Sequence, residues 1–113
     1  YECQTRSGSV CTLAVVVSDG SLSITQGDPA SIVVGKRKHR YCAVCGSALF
    51  NDNADQPGVL FITGGLFDKT DWLKPCAHPW TPTAQPWITL PTDVPNYQTQ
   101  PENLSGILEL WPA

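Results

Sequence analysis

Charged residues are scarce in this sequence: Asp, Glu, Lys and Arg make up 15% of its 113 residues, and the net charge is −3. A general nucleic-acid or membrane-surface binder would be expected to be basic, so this balance argues against both classes. No apolar run approaches the ~20 residues that span a membrane. We therefore expect a protein with no nucleic-acid partner and no membrane partner.

An even set of cysteines is also missing. The chain has five, which do not form the paired framework of a small secreted domain. A reducing cytoplasm, with thiolates used to bind metal, is therefore the expected location. The sequence opens on Tyr1 rather than Met, with no signal-like segment, which indicates a processed, trimmed or fragmentary chain.

Turn formers and β-branched residues are abundant. Ten prolines, nine glycines and 42% hydrophobic residues predict a single, mainly β domain over residues 1–113. Asp68 or Thr70 is expected to cap one helical turn at Lys69–Trp72. The predicted strands are Val10–Val17 (buried on both faces, with Cys11 as a small apolar filler), Leu22–Ile24, Ser31–Val34, the basic run Lys36–Arg40, Val59–Thr63 and Gly106–Trp111.

The central feature is the stretch Cys42-Ala-Val-Cys45-Gly46. A glycine permits the backbone conformation that closes such a turn, so the two thiolates can be aimed at one point. Tetrahedral zinc is the commonest occupant of that point, and the flanking segments predict a zinc knuckle that joins two strands. A redox-active Cys-x-x-Cys pair and two ordinary buried cysteines are the alternatives.

One Cys-x-x-Cys pair supplies only half of a structural zinc site, because four protein ligands are the rule. The other candidate ligands, none of them paired at metal-ligand spacing, are Cys3, Cys11, Cys76, His39 and His78. Cys76 and His78 lie beside Pro79, where a packed corner is as good an interpretation as ligation. We expect His39 to be a surface residue.

Two stretches with basic residues, one polar and small and the other a basic run, allow a functional interpretation. Residues 6–9, Arg-Ser-Gly-Ser, follow Cys3 and can bring a guanidinium and backbone N–H groups to an anion; a frayed terminus is the alternative. In the run Lys36–Arg40, strand alternation splits the basic residues between two faces. A solvated face is the simpler interpretation, and contact with the carboxylates of an acidic substrate is the other.

Several motifs occur in one recognisable order: C-Q-T-R-S-G-S at 3–9, R-Y-C-A-V-C-G-S-A-L-F at 40–50, G-G-L-F-D at 64–68, P-C-A-H-P-W at 75–80 and Q-P-W-I-T-L-P-T-D-V-P-N-Y at 85–97. In this order the chain resembles the glutathione-dependent formaldehyde-activating enzyme family, which includes the centromere protein V-like proteins. The resemblance extends from Cys3 to about Pro101. Cys-x-x-Cys-Gly alone is shared by many zinc proteins, whereas the ordered set is much more specific.

The resemblance implies a mainly β, Mss4-like fold of two packed antiparallel sheets with two zinc ions. One zinc is structural and has four cysteine ligands, and Cys42 and Cys45 match the central pair of that set. The other is catalytic and has three, of which Cys3 matches the last; Arg6, Ser7 and Gly8 would lie on the substrate side. The remaining ligands precede Tyr1 in the family pattern, which implies an N-terminally truncated domain with two incomplete zinc sites.

By resemblance, the activity is that of a zinc-dependent carbon–sulfur lyase that acts on adducts of a glutathione-type thiol with a small aldehyde, or an inactive remnant of such an enzyme. Asp68 and His78 are weaker candidates, as pocket-lining or core hydrogen-bonding residues. The alternative is a non-catalytic binding or structural module with incomplete metal sites. Its exposed sheet edge would predict a homodimer. A redox use of Cys42 and Cys45 is a third hypothesis.

Overall fold

The computed structural model of the chain describes residues 2–9, 11–74, 82 and 84–89. Its described residues fall into two compact units, of which the first is Leu13–Asp71. The second contains residues 2–9, 11–12, 72–74, 82 and 84–89. That residues 1–113 form a single domain stays a prediction.

The first unit is built on a five-stranded antiparallel sheet. Its strands are β1 (Ala14–Ser18), β2 (Ala30–Val34), β3 (Arg37–Tyr41), β4 (Ala48–Asn53) and β5 (Val59–Thr63). They lie in the order β1-β5-β4-β3-β2, so β2 to β5 form consecutive hairpins and the chain crosses from one edge to the other between β1 and β2. The mainly β prediction is confirmed. The described residues form one sheet, and the second sheet of the Mss4-like prediction is not among them.

The core of this unit is centred on β5. Leu60 and Phe61 are each only 8% exposed. Because neighbouring strand residues point to opposite faces, β5 is buried on both sides of the sheet. The same strand pairs with β1 over five residues, Ala14↔Thr63 to Ser18↔Val59. The apolar, β-branched sequence of β5 therefore gives the strand that the pattern predicted, and Gly64 ends it in a short 3-10 turn, Gly64–Leu66.

The first strand was predicted to start too early. The strand begins at Ala14 rather than Val10, and Cys11 is exposed instead of filling the core. The reason lies in the ladder, since β1 extends only as far as its pairing with β5 and the Leu13 carbonyl accepts a 2.9 Å hydrogen bond from the Gly64 N–H. An apolar run can be longer than the strand that its partner allows.

Two further predictions are wrong, and one cannot be compared. Leu22–Ile24 pairs with no described strand, and a 3-10 turn, Asp19–Ser21, precedes it. Residues 69–72 contain a turn and no helix, because a single helical turn fixes several dihedral angles for little hydrogen bonding. The predicted strand Gly106–Trp111 lies outside the described residues.

The basic run forms most of β3, although Lys36 belongs to the turn before it. Two of its arginines are packed rather than solvated. The Arg37 guanidinium lies over the Phe61 ring and that of Arg40 over the Phe50 ring, each 5.1 Å from the centroid. His39 is half-buried, so the expectation that it lies on the surface is wrong. Alternation places Arg37 and Arg40 on opposite faces, so each face of β3 presents one stacked cation.

Candidate functional site

The Cys-x-x-Cys stretch forms the connection between β3 and β4. Within it, the Gly46 N–H donates a 2.8 Å hydrogen bond to the Cys42 carbonyl, and the Cys42 N–H donates one of 2.8 Å to the Ser47 carbonyl. Gly46 has φ +77°, in the left-handed region that residues with a Cβ rarely adopt. The turn is therefore closed as the sequence predicted, with the glycine in the conformation that only glycine adopts without strain.

A β-bulge lies beside this turn, at the start of β4. The pairing of β3 with β4 shifts between Arg40 and Tyr41, so that Tyr41 pairs with Ala48 while Arg40 pairs with Phe50. Bulges bend a strand and redirect the residues that follow it, and they are frequent beside functional sites. Here the extra residue is Leu49, so the bulge bends β4 where the chain leaves the cysteine turn.

The two thiols of the turn lie side by side. Cys45 is exposed, Cys42 is half-buried, and neither forms a disulfide. The Ser47 hydroxyl lies 3.1 Å from Cys45 Sγ. This hydroxyl, then the Ser47 backbone and the neighbouring Cys42 thiol, holds the pKa of the Cys45 thiol below its usual value, against a smaller opposing effect of burial. Because thiolates rather than thiols bind zinc, the turn favours the form of Cys45 that a metal needs.

Donor chemistry and geometry at the turn fit half of a four-thiolate zinc site. Two convergent soft donors are present, and one of them is held toward its anionic form. No group of three or more Cys, His, Asp or Glu side chains comes together within the described part of the chain. Within the described residues, therefore, neither the exposed Cys11 nor the half-buried His39 joins Cys42 and Cys45 as a further zinc ligand.

The stretch around Cys3 forms a short helix, α1 (Glu2–Ser7), in the second unit. The backbone of Cys3 lies in its first turn and Arg6 lies in its last. Gly8, at φ +64°, ends the helix and donates a 3.0 Å hydrogen bond from its N–H to the Gln4 carbonyl. The sequence had indicated either a frayed terminus or an anion-binding loop; a helix with a glycine cap was not foreseen.

Helix α1 determines what its residues can offer a ligand. Arg6, Ser7 and Gly8 are all exposed. The Ser7 hydroxyl accepts a 3.2 Å hydrogen bond from the Ser9 N–H, so it supports the helix end, as the Gly8 N–H also does. Of this segment, the Arg6 guanidinium is the group best suited to meet an anion.

The remaining candidates are partly outside the described residues. Asp68 is exposed and follows the 3-10 turn at the end of β5. Cys76 and His78 lie outside the described residues. Two contacts near the candidates involve polar residues that the sequence interpretation did not single out: Ser47 contacts Cys45, and Gln85 donates a 2.7 Å hydrogen bond to the side chain of Gln4, which follows Cys3 on α1. Only the spacing Cys-Gly-Ser signals the first, and nothing in the sequence signals the second.

Fold and site together define a mainly β protein that presents a reduced Cys-x-x-Cys pair on a hairpin. The family model for glutathione-dependent formaldehyde-activating enzyme matches residues 1–83 of the chain. The chain belongs to this family, which confirms the resemblance drawn from its motifs. A comparison with curated proteins gave no match. Among the described residues, no helix is both long and apolar enough to cross a membrane.

Proposed function

We propose that the protein makes and breaks the carbon–sulfur bond between a glutathione-type thiol and a small aldehyde. The observation that carries this proposal is the range of the family match, because residues 1–83 include both the α1 segment with Cys3 and the turn with Cys42 and Cys45. All the residues that the family pattern assigns to metal and substrate in this sequence therefore lie inside the matched region.

The reaction that this proposal assigns is an addition and its reverse. The thiolate sulfur attacks the carbonyl carbon, a carbon–sulfur bond forms, and the carbonyl electron pair moves to the oxygen, which takes up a proton. Zinc, when bound, supplies a lowered pKa for a thiol that coordinates it. In this proposal Cys3 is a ligand of the catalytic zinc.

Arg6 is proposed to bind a carboxylate of the thiol substrate. Its guanidinium is exposed at the last turn of α1, about one helical turn beyond the backbone of Cys3. Arginine matches a carboxylate with two parallel hydrogen bonds, which fixes the direction of the bound group. Ser7 and Gly8 hold the end of the helix through the hydrogen bonds described above, and so fix the backbone from which Arg6 projects.

The pair Cys42 and Cys45 is proposed to bind the structural zinc. The closed turn, the lowered pKa of the Cys45 thiol and the adjacent Cys42 thiol support this role. Structural zinc contributes to folding free energy directly, so the metal would stabilise the β3–β4 end of the sheet. A four-coordinate site needs two further ligands, and no other described Cys, His, Asp or Glu side chain lies with this pair as a metal-binding group.

The proposal is tested by following the adduct directly. The exchange rate between ¹³C-formaldehyde and its adduct with reduced glutathione is measured by NMR, with and without the zinc-loaded protein. We expect acceleration, and we expect Arg6→Ala to raise KM for glutathione while leaving KM for a thiol without carboxylates, 2-mercaptoethanol, unchanged. Thr5→Ala, at an exposed neighbouring position of α1, is the control. Zinc-loaded protein that does not change the exchange rate would refute the enzymatic proposal.

A second candidate function is a non-catalytic binding module. The observation that favours it is the edge of the sheet at β2, where Ile32 and Val33 are exposed. Zinc binding without acceleration of adduct exchange would support this candidate against the first.

A further inference from the structure

Strand β2 is an edge strand without the usual protection in the part of the chain that the structure describes. It is the last strand of the order β1-β5-β4-β3-β2, and its sequence Ala30-Ser-Ile-Val-Val34 contains no charged residue and no proline. Its five pairs with β3, from Ala30↔Tyr41 to Val34↔Arg37, run without a bulge. Two apolar side chains of the strand are solvent-accessible, Ile32 at 48% and Val33 at 66%.

Natural sheets protect their edges with charge, proline, a bulge or a covering segment. Among the described residues, none of these four devices is present along β2. The opposite edge is different, because the three central valines of β1 are half-buried. Residues 32 and 33 point to opposite faces of the sheet, so the edge is apolar on both faces, and no described strand pairs with the outer side of its backbone.

We propose that β2 pairs antiparallel with β2 of a second copy, so that two five-stranded sheets join into one sheet of ten strands. A two-fold axis passes beside Ile32, the central residue of the strand. Ile32 then lies opposite Ile32, Ser31 opposite Val33, and Ala30 opposite Val34. This proposal concerns assembly and does not depend on the proposed activity.

The strand sequence favours a copy of itself as its occupant. A two-fold interface requires a surface that is complementary to itself, and pairing about Ile32 places each residue of β2 opposite another uncharged residue of the same strand. No two like charges come to lie opposite each other, because β2 carries none. Two copies of β2 can therefore lie side by side without electrostatic repulsion between their side chains.

Cations on the next strand do not oppose this pairing. The closest approach across the junction on the face of Val33 is from Lys38 of one copy to Arg40 of the other, since Lys38 pairs with Val33 and Arg40 pairs with Ser31. Three strand spacings separate them, which is roughly 14 Å. This exceeds the Debye length of about 8 Å at physiological salt, so the repulsion between them is largely screened.

The size of the contact sets the expected strength. A ladder of five residue pairs is smaller than a standard interface of about 1,200–2,000 Å². We therefore expect a reversible dimer, populated at micromolar to tens of micromolar chain concentration, rather than an obligate one.

Sedimentation velocity on the full chain over a concentration series tests the proposal, with a charge-swap pair at the two-fold axis. Ile32→Glu and Ile32→Lys each place two like charges opposite one another in a homodimer, so each variant alone should be monomeric. An equimolar mixture of the two should restore the dimer, because Glu then faces Lys. Val44→Glu is the matched control, at an equally apolar β-branched residue that is 96% exposed in the cysteine turn, and it should dimerise as the wild type does.

Circular dichroism of each variant establishes that the sheet is retained, which is expected because Ile32 is already half exposed. Three results would overturn the proposal: a wild-type chain that stays monomeric up to about 200 µM, since the expected dissociation constant lies well below this; an Ile32→Glu variant that dimerises as the wild type does; or a mixture that stays monomeric. A strand from a different protein would be the occupant if the wild type were monomeric yet paired with added peptide.

Discussion

Gly46→Ala is the substitution that examines the cysteine turn most specifically. Gly46 has φ +77°, and a Cβ added there would meet no atom within 4 Å. The cost is therefore confined to the backbone, where an L-residue in the left-handed region loses roughly 1–2 kcal/mol. Alanine also lowers the conformational entropy of the unfolded chain, which offsets about 0.4–1 kcal/mol of this cost. We therefore expect the free energy of unfolding to fall by about 1 kcal/mol. For a domain of this size that corresponds to a Tm lower by roughly 4–8 °C.

A matched control exists elsewhere in the chain. Gly27 also has φ +77° and also has no atom within 4 Å of an added Cβ, but it lies in the connection before β2. Gly27→Ala should therefore lower Tm by about as much as Gly46→Ala. Gly46→Asn should lower it less, because asparagine enters the left-handed region more readily than alanine.

Zinc binding separates the two alanine variants. If the turn of the Gly46→Ala variant must return to the strained conformation to bind metal, a strain of 1–2 kcal/mol weakens zinc affinity by roughly 5–30-fold. Gly27→Ala should leave the affinity unchanged. The measurement is competition for zinc with a chromogenic chelator, beside thermal melts followed by circular dichroism. Equal zinc affinity and equal Tm for wild type and Gly46→Ala would refute the assignment of strain to this turn.

Three further predictions follow from the contacts of the sheet and its cysteine turn. Ser47→Ala removes the main cause of the lowered Cys45 pKa. Because the thiolate is the reactive form, the pH midpoint of Cys45 alkylation should rise in zinc-free protein, and alkylation at neutral pH should slow. Mass spectrometry of the alkylated protein measures both. Arg37→Lys loses the guanidinium stacked on Phe61 and its 2.7 Å hydrogen bond to Asn51, so we expect a loss of about 1 kcal/mol in urea unfolding. Phe61→Ala empties an 8% exposed site in β5 and should cost about 3–5 kcal/mol by the same measurement.

Each of these has a control and a result that would contradict it. Ser18→Ala, which removes an exposed serine–serine hydrogen bond, should not move the Cys45 midpoint; an unchanged midpoint in Ser47→Ala would show that the hydroxyl does not act on the thiol. Lys38→Arg, on the same strand and exposed, should change stability by less than about 0.5 kcal/mol, and so should Val44→Ala, at a side chain that is 96% exposed. If the controls lost as much unfolding free energy as the variants at positions 37 and 61, the stabilising contacts assigned to Arg37 and Phe61 would be refuted.

What the sequence predicted well is what neighbouring residues determine. The closing turn at Gly46 and the strand Val59–Thr63 depend on local conformational preference and on a continuous β-branched run, and both are found as expected. The family resemblance also rests on local motifs, and the family match over residues 1–83 confirms it.

What it predicted poorly depends on partners far along the chain. The start of β1, and with it the exposure of Cys11, follows from pairing with β5 almost fifty residues later. Arg37 is held over Phe61 by a sheet order that alternation alone cannot give. The hydrogen bond between Gln4 and Gln85 joins residues 81 positions apart, and α1 itself is too short to show a helical period.

The most direct test of the zinc assignment is the metal content of the purified full chain by elemental analysis, compared with that of a Cys42→Ser/Cys45→Ser variant. Our account predicts that zinc copurifies with the wild type, that the variant loses one zinc per chain, and that Cys11→Ser, at an exposed cysteine outside the turn, loses none. A wild-type chain without zinc, or a variant with the zinc content of the wild type, would contradict the assignment of Cys42 and Cys45 as metal ligands.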